Sequence, residues 1–444
     1  GQSDGLGVTG LLTVPGTLQM SSFGNYTDLI LYGGAFVTFG GGTPSTPALI
    51  EMGNSNANRI LGQNGSERLD IQPASVIRGS GQVGANLISI ANQGSILGRG
   101  STGLTIDPNG AGMTNTGTLG ADTGPLTLYA GTFDNTDGEI VAMGANVYLV
   151  NASFFGGVLN TTGGAGAIVA GNPGGSNTLR DLTNLGILRL PNDYDDYMYG
   201  TITNNGQVRL ESIGNSTDIY LPAHLTFTGA GQMQMSDSYQ NRIFDPAGNR
   251  GFVFTNAGTH TIIGSGQIGL NSVNVVNQAG ASILAQGTVG LHIDPAETLT
   301  NLGTLGAVSG GGLVLTNGTF VMTVPAVAQD GGKIYINGGT FTGTFSSLGT
   351  GECRINTYGG GSVLSNLTNT GQFNFHNDYD AAVTGTLTNN GTIAFASIGN
   401  STDLNLNSDA TLAGSGTLTM SNNAQNRIFD AAGNRGFVLT NAST

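Results

Sequence analysis

Along most of this chain apolar and polar residues alternate for four or five positions and then yield to a tight turn. In GQVRL, from Gly206, Val208 and Leu210 fall on one side and Gln207 and Arg209 on the other. GQMQM from Gly231 and GTLTM from Gly416 repeat the alternation. A period of two marks a strand with one buried face. The turns are rich in Asn and Gly, residues that supply the positive φ values tight turns demand. Turn asparagines recur after 23 residues from Asn92 to Asn115, and after 20 from Asn115 to Asn135, from Asn184 to Asn204 and from Asn369 to Asn389. About 20 residues hold some three short strands, too few to enclose a core unless successive coils stack. The pattern therefore predicts an all-β chain, an elongated parallel β-helix (β-solenoid) with coils of about 20 residues. Helices have no place, since Gly costs about 1 kcal/mol relative to Ala in a helix interior and interrupts almost every window. Asparagines at equivalent corners are expected to bond to one another as amide ladders.

A longer period overlies the short one. NRI occurs at Asn58, Asn241 and Asn426, at intervals of 183 and 185 residues. GSGQVG at Gly79 answers GSGQIG at Gly264, LTIDP at Leu104 answers LHIDP at Leu291, and NDYD at Asn192 returns at Asn377. SIGNSTD at Ser212 and Ser397 matches FGNYTD at Phe23. The chain thus divides into a partial unit (1–57), two whole units (58–240 and 241–425) and the start of another (426–444), with about nine coils per 185-residue unit. It reads as a window from a longer tandem array.

Composition removes several functions. The chain has 27 acidic and 13 basic residues, for a formal charge of −14, and Lys333 is its one lysine. No basic face for phosphate neutralisation can be assembled, which argues against nucleic acid as a partner. No apolar run approaches the roughly 20 residues of a membrane-spanning helix, so membrane insertion by this segment is not expected. Cys353 stands alone and supports neither a disulfide framework nor a cysteine-based zinc site. The four histidines, His224, His260, His292 and His376, share no spacing that suits zinc or a catalytic triad, and surface or corner placement is expected for them.

Two clusters carry candidate chemistry. In the NDYD segments Asn192, Asp193, Asp195 and Asp196, and again Asn377, Asp378 and Asp380, offer the hard oxygen ligands that Ca²⁺ prefers. No other cofactor is expected. NRIFDPAGNRG and NRIFDAAGNRG place Arg242, Asp245 and Arg250, and Arg427, Asp430 and Arg435, once per repeat. They read as local Arg–Asp pairs bracing a loop, or as contacts to a neighbouring chain.

The recurring TNxG-T-L and GSGTLTM phrases resemble the parallel β-helix passengers of bacterial autotransporter and filamentous-haemagglutinin-like surface proteins, over essentially the whole chain. The resemblance implies a non-catalytic extracellular fibre or adhesin on a bacterial cell surface. Its expected partners are copies of itself, as a homopolymer or lateral bundle, and surface glycans. The alternative is a glycan-binding or glycan-cleaving β-helix like polysaccharide lyases or tailspikes, with the NDYD carboxylates as its reactive groups.

Overall fold

The computed structural model describes residues 4–33, 36–171, 175–357, 361–433 and 436–443, in strands, turns and loops. Among them no helix is long and apolar enough to cross a membrane. The chain divides into two compact units, Gly1–Arg209 and Leu210–Thr444. Each is a parallel β-solenoid, and together they make about 18 turns with coils about 23 residues apart. The coil is longer than the expected 20 because corner loops insert residues between strands. Thr217 pairs with Asn241 and Gly266 with Leu291, 24 and 25 residues on, whereas Gly312 pairs with Lys333 after 21.

In the first unit Thr27–Leu31 lies parallel to Asn58–Gly62, which leads through Gly81–Gly84 and Leu104–Ile106 to Leu126–Tyr129. Each strand takes as its partner the strand one coil later, and three such ladders complete the turn. Alternation decides which side chains go inside: Asn58–Gly62, Glu67–Ile71 and Ser75–Gly79 each show buried residues at every second position. Because the strands are in register, like residues stack on like. Phe133 lies on Phe154 with ring centroids 5.0 Å apart. Such a pair contributes about 0.5–1.5 kcal/mol beyond the area it buries.

The second unit follows the same plan with longer strands. Thr319–Gln329, Gly339–Leu348, Asp380–Asn389 and Thr402–Gly414 each turn a corner, and the register shifts there, as between Met322 and Ala326. Phe320 stacks on Phe341 at 4.7 Å and Phe375 on Phe395 at 4.6 Å.

The amide ladders are present in both units. Asn92 donates to Asn115 (2.7 Å) and Asn115 to Asn135 (2.6 Å) in the first. In the second, Asn256 donates to Asn277 (3.0 Å), Asn277 to Asn301 (2.8 Å) and Asn369 to Asn389 (2.8 Å). All of these residues are buried, and the chain of amides satisfies groups that would otherwise be costly to desolvate. The GSG phrase also has a steric cause. Gly79 and Gly81, like Gly264 and Gly266, hold φ between 128° and 150°, and a Cβ on any of them would strike a backbone carbonyl of the preceding coil.

Candidate functional site, a braced loop with an apolar tip

The recurring SxGN loop is built the same way three times. Ser212 Oγ donates to the Asn215 carbonyl (2.7 Å) and Ser397 Oγ to that of Asn400 (2.6 Å), while Ser22 makes the same bond to Asn25. The loop glycines Gly24, Gly214 and Gly399 have φ of 110°, 145° and 150°. A buried or half-buried asparagine from the next coil fixes each loop. Asn58, Asn241 and Asn426 accept at Oδ1 from the amides of Ser22 (3.0 Å), Ser212 (3.2 Å) and Ser397 (3.0 Å). Their Nδ2 groups donate to carbonyls of the corner that precedes them, such as Gly53, Ser236 and Ser421.

The strand after each loop carries an aspartate, and the arginine of NRI one coil later meets it. Arg59 Nε and Nη2 bond Asp28 at 2.8 and 2.6 Å, Arg242 bonds Asp218 at 2.7 and 2.5 Å, and Arg427 bonds Asp403 at 2.8 and 2.6 Å. The geometry is fork on fork, the strongest form of Arg–carboxylate contact. Asp28 and Asp403 hold the guanidinium charges of Arg59 and Arg427 firmly, raising their pKa values.

This corrects the expected local pairing. Asp245 is 2% exposed and accepts from the amides of Ala247 (2.8 Å) and Asn249 (2.7 Å), so it braces its own turn. Asp430 accepts from Ala432 in the equivalent turn. Arg250 bonds Asn271 Oδ1 (2.8 Å) and the carbonyl of Ala296. Arg435 lies outside the described residues. The aspartates Asp28, Asp218 and Asp403 went unnoticed in the sequence, although they stand about one coil before NRI in every copy, the offset at which strand neighbours must fall.

What the brace presents is apolar. Phe23, Ile213 and Ile398, one residue past the loop serine, are 97%, 88% and 85% exposed, the most exposed large hydrophobic side chains among the described residues. In the second unit eight successive parallel pairings lead from Thr217–Tyr220 to Thr392–Ala396. The sequence equivalent of Thr217 is Thr402, which lies one strand further on, in the ladder of Leu225–Thr228. One sequence repeat is therefore eight turns plus one strand, not nine turns. The Ile398 tip consequently emerges from the next side of the coil relative to Ile213.

The NDYD segments serve this frame. Asn377 Oδ1 accepts from the amides of Ile398 (2.8 Å) and Asn400 (3.0 Å), clamping the tip loop of the following coil. Asp193 and Asp378 adopt φ of 72° and 74° in the turn itself. Asp195 and Asp196 are neighbours on Asp195–Asn204 and so point to opposite faces, with Asp196 fully buried. Asp380, at the start of Asp380–Asn389, is half-buried. Among the described residues no three His, Cys, Asp or Glu side chains converge as metal ligands.

Asp196 accepts from Asn177 at its backbone (2.7 Å) and side-chain (2.9 Å) nitrogens, while its second oxygen is buried with no hydrogen-bond partner. Burial pushes this carboxyl up to about 7. His260, expected at a surface or corner, is fully buried, bonds Asn256 (2.7 Å) and stacks on Phe227. Burial lowers its pKa to about 4. Cys353 is buried, and its thiol is pushed up to about 12, far from reactive. No protein-family model, curated protein or solved structure matches the chain.

Proposed function

We propose that this chain is a structural β-solenoid of an extracellular fibre or adhesin, of the autotransporter-passenger kind, that acts by self-association or multivalent attachment and not by catalysis. The observation that carries the reading is the tip: a large apolar side chain held in water on a loop fixed by a buried asparagine and a forked ion pair, and written once per repeat. Burying one such side chain is worth about 1.5–3 kcal/mol, less than a millimolar dissociation constant requires. Single tips therefore bind nothing lastingly. Several engaged together along a stiff ladder reach useful avidity, because the second contact is made at high effective concentration. The charge of −14 opposes unspecific clumping, so association depends on salt as well as on the tips.

The test is electron microscopy with sedimentation velocity on the chain and on its Phe23→Asp, Ile213→Asp, Ile398→Asp variant. Filaments or lateral bundles that form in the parent at raised salt and are lost in the variant are expected. A parent that stays monomeric at all concentrations, or a variant that assembles equally well, overturns the reading.

A further inference from the structure

In the second unit a cleft of about 300 Å³ is lined by the polar groups of Tyr239, Gln267, His292, Asp294, Thr316 and Asn337, with Ile268 and Leu270 beside them. Gln267, His292, Thr316 and Asn337 come from four successive strands of one ladder, Gly266–Gly269, Leu291–Ile293, Gly312–Thr316 and Lys333–Asn337. Gln267 pairs in register with His292 and Thr316 with Asn337, the second pair two positions further along the strands, since His292 itself pairs with Val314. At one end stands Tyr239, 44% exposed, its ring perpendicular to that of His292 with centroids 4.9 Å apart. Gln267 Nε2 donates to the Tyr239 carbonyl (2.9 Å) and fixes that corner. Asn337 Nδ2 reaches Thr316 Oγ1 (3.3 Å), and Asp294 accepts from Asn317 (3.1 Å).

We infer that this cleft is a binding site for a neutral saccharide, with the Tyr239 ring as the platform for a pyranose face and two offset pairs, Gln267 with His292 and Thr316 with Asn337, as its hydroxyl-reading groups. The lining excludes other ligand classes. No lysine or arginine is in it, and the guanidinium of Arg250, which acts on Asp294 electrostatically, is engaged by Asn271 and Ala296. An anion would meet the Asp294 carboxylate, while the Arg250 guanidinium is already engaged elsewhere. A metal ion would find a single carboxylate, and an apolar molecule would cover amide and hydroxyl groups whose remaining bonding capacity it cannot meet. Burial holds the His292 pKa below its usual value, so at neutral pH the ring is uncharged, with one donor and one acceptor. Closely spaced hydroxyls, each both donor and acceptor, match that mixture, and the apolar face of a sugar ring matches an exposed aromatic. The volume lies at the small end of ligand sites and suits one or two rings.

The lining is also particular to this place. The preceding repeat keeps Gln82 and Asp107 but has Asn56, Thr105, Tyr129 and Val150 where Tyr239, His292, Thr316 and Asn337 stand. This combination of side chains is thus absent from the preceding repeat.

Saturation-transfer NMR on the full chain tests this with methyl glycosides of glucose, galactose, mannose and N-acetylglucosamine, with maltose and lactose, and with glucuronate as the charged control. At least one neutral sugar is expected to bind, and Tyr239→Ala to weaken it at least tenfold with an unchanged circular dichroism spectrum. Asn337→Ala, at a half-exposed position, is expected to weaken it several-fold and covers the case in which the tyrosine variant misfolds. Absence of binding by every neutral sugar, equal binding of glucuronate, or undiminished binding in both variants overturns the inference. Filament formation is read separately, so failure here leaves the fibre reading standing.

Discussion

The corner brace and the buried interior of this protein follow different rules. The brace is repeated almost atom for atom: Asn241 and Arg242 do for the loop at Ser212 what Asn426 and Arg427 do for the loop at Ser397. The interior has titratable groups that are not repeated. Asp196 occupies a position where the next copy has Ala381, and His260 one where the preceding copy has Ser75. The difference teaches that repetition here preserves the brace and the tip it holds, while single copies admit interior groups such as Asp196 and His260 at the cost of a shifted pKa. Each region predicts its own response to mutation.

The largest effect is expected from Arg242→Ala. It leaves Asp218, whose side chain is 0% exposed, charged and unpaired, at a cost of about 3–5 kcal/mol. Arg427 is 41% and Asp403 6% exposed, against 25% and 0% for Arg242 and Asp218, so Arg427→Ala also strands a buried carboxylate and is expected to cost somewhat less, about 3 kcal/mol. Urea unfolding followed by circular dichroism measures both; a larger loss for Arg427→Ala would mean that burial does not set the strength of the brace.

Next come the interior groups, which tilt stability in opposite directions. The folded state raises the Asp196 pKa from 3.8 to about 7, so it favours the proton. The contribution of Asp196 is therefore complete below pH 4 and is lost as pH rises from 4 to 7. Asp196→Asn keeps the acceptor for Asn177 without the charge, and is expected to stabilise the protein by about 4 kcal/mol at pH 8 and by little at pH 4. A constant gain across that range would contradict it.

For His260 the folded pKa falls from 6.5 to about 4. Its contribution is present above pH 6.5 and lost as pH falls toward 4, by about 3 kcal/mol. His260→Gln is expected to remove that part of the pH dependence while costing some packing against Phe227 at pH 7. Melts at pH 4 and 7 for parent and variant provide the check.

The smallest effect on stability is expected from the tips. Ile213→Asp with Ile398→Asp alters side chains 88% and 85% exposed and is expected to shift unfolding by no more than about 0.5 kcal/mol. A larger loss would place these residues among the braces and not among the contacts.

Much of this architecture was legible in the sequence. Period-two alternation gave strands, Asn-x-Gly spacing gave coils, and buried amide columns followed from Asn recurring at corners such as Asn92, Asn115 and Asn135. The coil is longer than the Asn spacing suggests because corners such as 236–240 and 245–252 hold residues that carry no alternation. The ion pairs were misassigned because Asp245 is close to Arg242 along the chain, whereas Asp218 is its neighbour across the ladder. Local spacing reveals turns; partners in a solenoid lie one coil away. The cleft was invisible for a related reason, since its lining comes from positions 239 to 337 and converges only once the register is known.

The central claim is that each repeat winds eight turns and one strand and ends in a fixed, exposed tip. Spin labels at Ile213→Cys and Ile398→Cys, with buried Cys353 inert to labelling, measure it by double electron–electron resonance. Eight strand spacings within the second unit predict one narrow distance distribution centred on the order of 40–50 Å. A separation below about 30 Å, too short for eight stacked strands, or a broad spread like that of a flexible chain, would contradict the account.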